Sequence, residues 1–139
     1  MTTPTILNAA ERDALAAALD DEYKSHETYA QVIRDFGELR PFINIVEAEA
    51  RHIEALLALF KRYGITAAEN IWAAKAPTFA SVSAACTAAV QGEIENVTLY
   101  DRLLQSTTRA DILDVFQALR AASQDRHLPA FQRCAQRSA

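Results

Sequence analysis

The sequence predicts an all-α protein, a four-helix bundle made of two antiparallel hairpins joined by one long crossover. Three observations carry this. Half of the 139 residues are hydrophobic, dominated by alanine and leucine, with only three glycines and four prolines; alanine and leucine lose least on entering a helix. Apolar residues recur at helical spacing in four separate segments. The second half of the chain repeats polar features of the first. The length suits one domain over residues 1–139, large enough to bury a core.

The first helix is expected from Asn8, which with Glu11 forms a capping-box pair. Leu15, Leu19, Tyr29, Val32, Ile33 and Phe36 line one face, and Gly37 ends it. Pro41 stands near the start of the second helix, whose apolar side carries Phe42, Ile45, Ile53, Leu56, Leu59, Phe60 and Tyr63 before Gly64. Residues 65–76 show no period and read as a connection, with Trp72 expected to plug it onto the bundle. The third helix is expected from near Pro77, through Val82, Ala85, Ala89, Val97, Tyr100 and Leu104. Gln105 to Arg109 is a polar turn. The fourth helix carries Ile112, Val115, Phe116, Leu119, Ala130 and Phe131, with Pro129 as a kink or fraying point.

Loop length then predicts topology. Both hairpin turns are short, so helices one and two should be antiparallel neighbours, as should three and four. The 12-residue connection can span roughly 40 Å. A helix of about 24 residues is about 36 Å long. The connection can therefore run the length of the bundle and make helices two and three parallel.

Charge and cysteine usage exclude several classes. The net charge is −4 and no basic patch shows in the sequence, which argues against a nucleic-acid partner. No apolar run approaches the roughly 20 residues that span a bilayer, and Thr2 to Arg12 is too polar for a signal peptide. Cys86 and Cys134 form no CxxC pair and read as small buried or helix-end residues. A reduced, cytoplasmic protein is the expectation.

The repeat carries the chemistry. Glu22 is followed by Tyr29 and Glu93 by Tyr100, each seven residues on and so on the same face. Glu49-Ala50-Arg51-His52-Ile53 in the second helix is echoed by Arg126-His127-Leu128 in the fourth. Glu22, Glu49, His52 and Glu93 fall on apolar stripes. A carboxylate on a core face costs several kcal/mol unless paired or bound to a cation. A shared metal would remove that cost, and Glu22, Glu49, His52, Glu93 and His127 are the candidate ligands. The competing reading pairs Glu22 and Glu93 with Arg51 or Arg126 and bonds the histidines to carbonyls. His26 is placed on the surface or behind a ligand, and Tyr29 and Tyr100 in the core, with a bond to a ligand carboxylate open. Glu27, Glu47, Glu54 and Glu95 fall outward.

Bundles that bind two iron or manganese ions take a Glu from each of two helices and a Glu-x-x-His from each of the others. Here three parts of that pattern stand and the fourth does not. Gln124 lies three before His127, Ser123 four before and Asp125 two before. Phe42 precedes His52 by ten residues but Phe116 precedes His127 by eleven, a slip that a one-residue π-bulge would explain. Gln124 is expected to offer a carbonyl oxygen, and the position beside Glu49 and His52 to fill first.

These motifs resemble the ferritin-like superfamily, and Glu22-x6-Tyr29 with Glu49-x-x-His52 looks like its rubrerythrin branch. Asp21-Glu22-Tyr23-Lys24, Pro41-Phe42-x-Asn44-Ile45, Ala48-Glu49-x-x-His52-Ile53 and His127-Leu128-x-Ala130-Phe131 look closer to a ferritin-like family catalogued as a domain of unknown function. The resemblance runs from about Asn8 to Cys134. It implies a bundle carrying iron, or manganese, as one or two ions, with redox chemistry on oxygen or peroxide. Rubrerythrins carry an added four-cysteine iron module that this chain lacks. Two function classes follow. One is a di-iron carboxylate oxidoreductase, a ferroxidase or peroxide reductase. The other is a metal-free or single-metal helical module for binding, storage or association, and a homodimer is open in either case.

Overall fold

A computed structural model describes residues 6–138, all of whose regular structure is helical. The signal-peptide reading falls partly on residues 2–5, which lie outside them. Helix α1 spans Ala9–Phe36 and α2 Phe42–Arg62. Helix α3 spans Val82–Leu103, and the last rod is α4, Ala110–Ala122, a π-helical turn at Ser123–His127, and α5, Leu128–Ser138.

The ends of α1 follow from its sequence. The Asn8 side chain accepts from the Glu11 amide at 2.8 Å and Glu11 accepts from the Asn8 amide at 3.0 Å, the reciprocal capping pair. The second Glu11 carboxylate oxygen accepts from Thr107 Oγ1 at 2.6 Å and Arg109 Nε at 3.0 Å, clasping the start of α1 to the turn before α4. Pro41 caps α2, and Gly64, at φ +66°, supplies the left-handed residue that follows its end.

The start of the third helix and the state of the cysteines need correction. The third helix begins at Val82 rather than near Pro77. Ser81 Oγ accepts from the Ala84 amide at 3.0 Å and makes Ser81 the cap. Cys86 and Cys134 are not reduced: they form a disulfide between α3 and α5, both buried. The argument for a cytoplasmic protein from unpaired cysteines therefore falls. Among the described residues no helix is long and apolar enough to cross a membrane.

The connection contains a short 3₁₀ helix, Ile71–Ala74, and lies along α1. Asn70 Nδ2 donates to Glu27 at 3.1 Å and the half-buried Trp72 donates from Nε1 to Asp20 at 3.0 Å. Glu27 is thus partly covered rather than solvated. Contacts between the long helices pair residues in opposite numerical order. Tyr29 meets Phe42 and Glu22 meets His52 between α1 and α2. Cys86 meets Cys134 and Asp101 meets Arg120 between α3 and the last rod. Glu22 meets Tyr100 and Tyr29 meets Glu93 between α1 and α3.

The core divides in two. One apolar cluster gathers Leu15, Leu19, Leu56, Tyr100, Ile112 and Phe116; the other gathers Tyr29, Val32, Phe42, Ala89 and Phe131. On every rod the polar candidates lie between the residues that feed these clusters: Glu22 between Leu19 and Tyr29, Glu49 between Ile45 and Leu56, Glu93 between Ala89 and Tyr100, His127 between Leu119 and Phe131. The bundle has a polar waist between two dry halves.

Candidate metal centre

All five residues singled out by the sequence meet in that waist. Glu22, Glu49, Glu93 and His127 are 1–3% exposed, and the His52 side chain is 11% exposed. They form two triads, Glu22–Glu49–His52 and Glu49–Glu93–His127, whose candidate ligand atoms lie within 4.8 Å of one another. Glu49 belongs to both. Its Oε1 is 3.1 Å from His127 Nδ1 and 3.5 Å from His52 Nδ1, yet makes no well-formed hydrogen bond although it is buried. His52 Nδ1 also lies 3.4 Å from Glu22, and His127 Nδ1 3.1 Å from Glu93. The two imidazoles stack with centroids 5.6 Å apart.

The repeated Glu and Tyr pairs cross over. Tyr100 on α3 donates to Glu22 on α1 at 2.7 Å, and Tyr29 on α1 donates to Glu93 on α3 at 3.1 Å. Because the residues of α1 and α3 pair in reverse order, a two-turn spacing on each helix puts each phenol beside the other helix's carboxylate. Burial, with Glu93 beside Tyr29 and Glu22 beside Tyr100, pushes both phenols well above their usual range. They remain donors.

Electrostatics separate the carboxyls. Burial and the charge of Glu22 push Glu49 well above the usual carboxylate range. Burial would also raise Glu22, but hydrogen bonds with His52, Glu49 and Tyr100 outweigh it and bring it below. No guanidinium offsets the charge: Arg51 and Arg126, the alternative partners, are exposed. His26 stands apart, bonded to Glu27 at 3.0 Å.

Helix four departs from expectation in an informative way. The slip between Phe116 and His127 is a π turn at Ser123–His127. The wider i→i+5 turn puts the residue four before His127, not three, on its face. Gln124 therefore faces solvent and accepts from Arg120 Nη1 at 2.6 Å, and Asp125 is exposed. Neither can serve the centre. Ser123 turns inward instead and donates to Asn96 Oδ1 at 2.6 Å, while Asn96 Nδ2 donates to Asp21 at 2.5 Å. Sequence reasoning missed this chain. The spacing Glu93-x-x-Asn96, a polar residue on a buried stripe, was its one visible sign. Burial, assisted by the charges of Glu22 and Glu93 against the bond from Asn96, raises Asp21 to about 6. Asp21 and Tyr29 also line a cavity of about 470 Å³ between α1, α3 and the crossover.

These features define a class: a helical bundle with a buried carboxylate and histidine centre at its waist. No family model matches the chain, and no curated protein matches it. Among solved structures it is similar to the crystal structure of a hypothetical protein, MJ0754, from Methanococcus jannaschii DSM 2661. The TM-score is 0.84 at 19% identity, over 99% of this chain and 85% of that one. That likeness concerns the fold alone.

Proposed function

We propose that this chain is a ferritin-like protein whose waist holds two metal ions, iron or manganese, and that it acts as an oxidoreductase on oxygen or peroxide. The observation that carries the reading is Glu49, whose buried Oε1 lacks a well-formed hydrogen bond and lies between two triads that share it. An orphaned buried oxygen among three carboxylates and two imidazoles suits a cation. Oxygen-rich sets with imidazole favour iron or manganese over zinc, which prefers four-coordinate sites richer in nitrogen or sulfur. The reverse-order contacts along the rods and a crossover lying on α1 support the ferritin-like arrangement of two antiparallel hairpins with α2 parallel to α3.

Glu22 and His52 would hold one ion, Glu93 and His127 the other, and Glu49 would bridge them. Two bound ferrous ions would supply one electron each, together the two electrons that reduction of a peroxide takes. The chain's own residues prepare the place. Tyr100 and Tyr29 orient the outer carboxylates through their hydroxyls, as hydrogen bonds behind metal ligands do. The two apolar clusters exclude water above and below, which strengthens every charge interaction between them. Asp21, near neutrality in its titration and bonded to Asn96, can hold a proton beside the centre at the wall of the cavity.

Elemental analysis of untagged protein tests the reading, followed by ferrous loading and exposure to oxygen or hydrogen peroxide. Two ions per chain and oxidant-dependent oxidation of the loaded iron are expected. Protein that takes up no iron or manganese would overturn it.

A further inference from the structure

A second feature adjoins His127. The α2 and α5 helices border a groove of about 430 Å³. Arg40 and Arg51 line it from the α2 side, and Arg126, Arg133 and Arg137 from the α5 side. No Asp or Glu is among its lining residues, in a chain with 18 of them and a net charge of −4. The expectation of no basic patch is corrected here, because folding brings the arginines of two distant segments, 40–51 and 126–137, to one groove. All five are exposed, and none pairs with another described residue. Arg133 and Arg137 sit four apart on one helix, a spacing at which like charges repel. Buried His127 forms part of the wall, so the groove abuts the waist.

We propose that this groove binds a small, multiply charged oxyanion of phosphate or pyrophosphate chemistry. Guanidinium groups present paired donors that match such oxygens. The rest of the molecule selects for a small ligand. Outside the groove lie nine of the 14 Lys and Arg against 18 Asp and Glu, and with Glu11, Glu22, Glu49 and Glu93 buried the remaining 14 acids still outnumber those nine bases. A long polyanion or a charged membrane would extend past the groove onto a surface of net negative charge. A compact anion meets only the arginines.

Calorimetric titration of metal-free protein with inorganic pyrophosphate tests this independently of the metal reading. Saturable binding at one site per chain is expected. Arg126→Gln and Arg133→Gln should each weaken it about tenfold, the loss of one charged hydrogen-bonding group. Arg12→Gln removes the same charge from an exposed position on α1 outside the groove and should change it less than about twofold. Both groove residues are exposed, so each variant should fold, and circular dichroism checks that it does. Absence of saturable binding would overturn the proposal, as would equal weakening by Arg12→Gln. Tighter binding to a short DNA duplex or to anionic phospholipid vesicles than to pyrophosphate would overturn it as well.

Discussion

Glu49 Oε1 lies within 3.5 Å of two imidazole nitrogens and has no well-formed hydrogen bond. In the metal-free protein this carboxyl is crowded by Glu22 and Glu93 in a site without a guanidinium. Glu49→Gln keeps the shape, removes the cost of either charging this carboxyl or holding it protonated beside Glu22, and adds donors that either neighbour can accept. The metal-free variant should therefore be more stable than the parent by about 1–2 kcal/mol, and should lose metal binding. Urea denaturation of both proteins in chelator checks the sign. A destabilised variant would mean that Glu49 is already satisfied. The five residues of the centre were legible in the sequence because a carboxylate on an apolar stripe is unusual on one helix, and informative when repeated on several. The partners of Tyr29 and Tyr100 were legible only as an option, since which carboxylate each phenol meets depends on how α1 packs on α3. Asn96 showed only as a polar residue on a buried stripe, and the role of Ser123 and the arginine groove were invisible for the same reason: each is made by contacts between elements.

Elements set which residues face inward, and the π turn is the decisive case. The slip in hydrophobic register before His127 was visible in the sequence, but which side chain it would turn inward was not. Gln124 looked like the degraded fourth ligand; the turn sends it to Arg120 instead. Gln124→Glu should consequently leave metal affinity within about twofold of the parent, because an exposed charge outside the centre is screened. A gain of tenfold in a ferrous or manganous titration would show that the side chain reaches the site. At the start of α1, burial would raise the Glu11 carboxyl, but bonds from Thr107, the Asn8 amide and Arg109 outweigh it and hold it below its usual range. A carboxylate depressed on folding stabilises above its unfolded pKa, and that contribution is lost as pH falls through the folded value. Glu11→Gln should cost about 2 kcal/mol at pH 7. The difference from the parent should shrink below about pH 4, where the parent's carboxylate also takes up its proton. Thermal unfolding of both proteins across that range measures it; a constant gap would contradict the clasp.

Across the whole molecule, the waist works because apolar clusters close it from both ends, and two devices hold the rods in that register. The crossover lies along α1 through Asn70 and Trp72, and the Cys86–Cys134 disulfide joins α3 to α5 across a separation of 48 residues. Closing a loop of that length removes unfolded-state entropy equivalent to about 4 kcal/mol, with realised gains of about 2–4. A Cys86→Ala, Cys134→Ala double variant should lose stability in that range by urea titration, and an unchanged midpoint would refute the contribution. That a long connection separates α2 from α3 was legible, because residues 65–76 carry no helical period. The disulfide was not, since two cysteines in distant helices give no sign of meeting until α3 and α5 are packed. The central claim is that Glu49 is shared between two ions, and anaerobic calorimetric titration with ferrous or manganous ion tests it most directly. The parent should take up two ions per chain and Glu49→Ala none with comparable affinity. A parent that binds no ion, or a Glu49→Ala variant that still binds two as tightly, would contradict it.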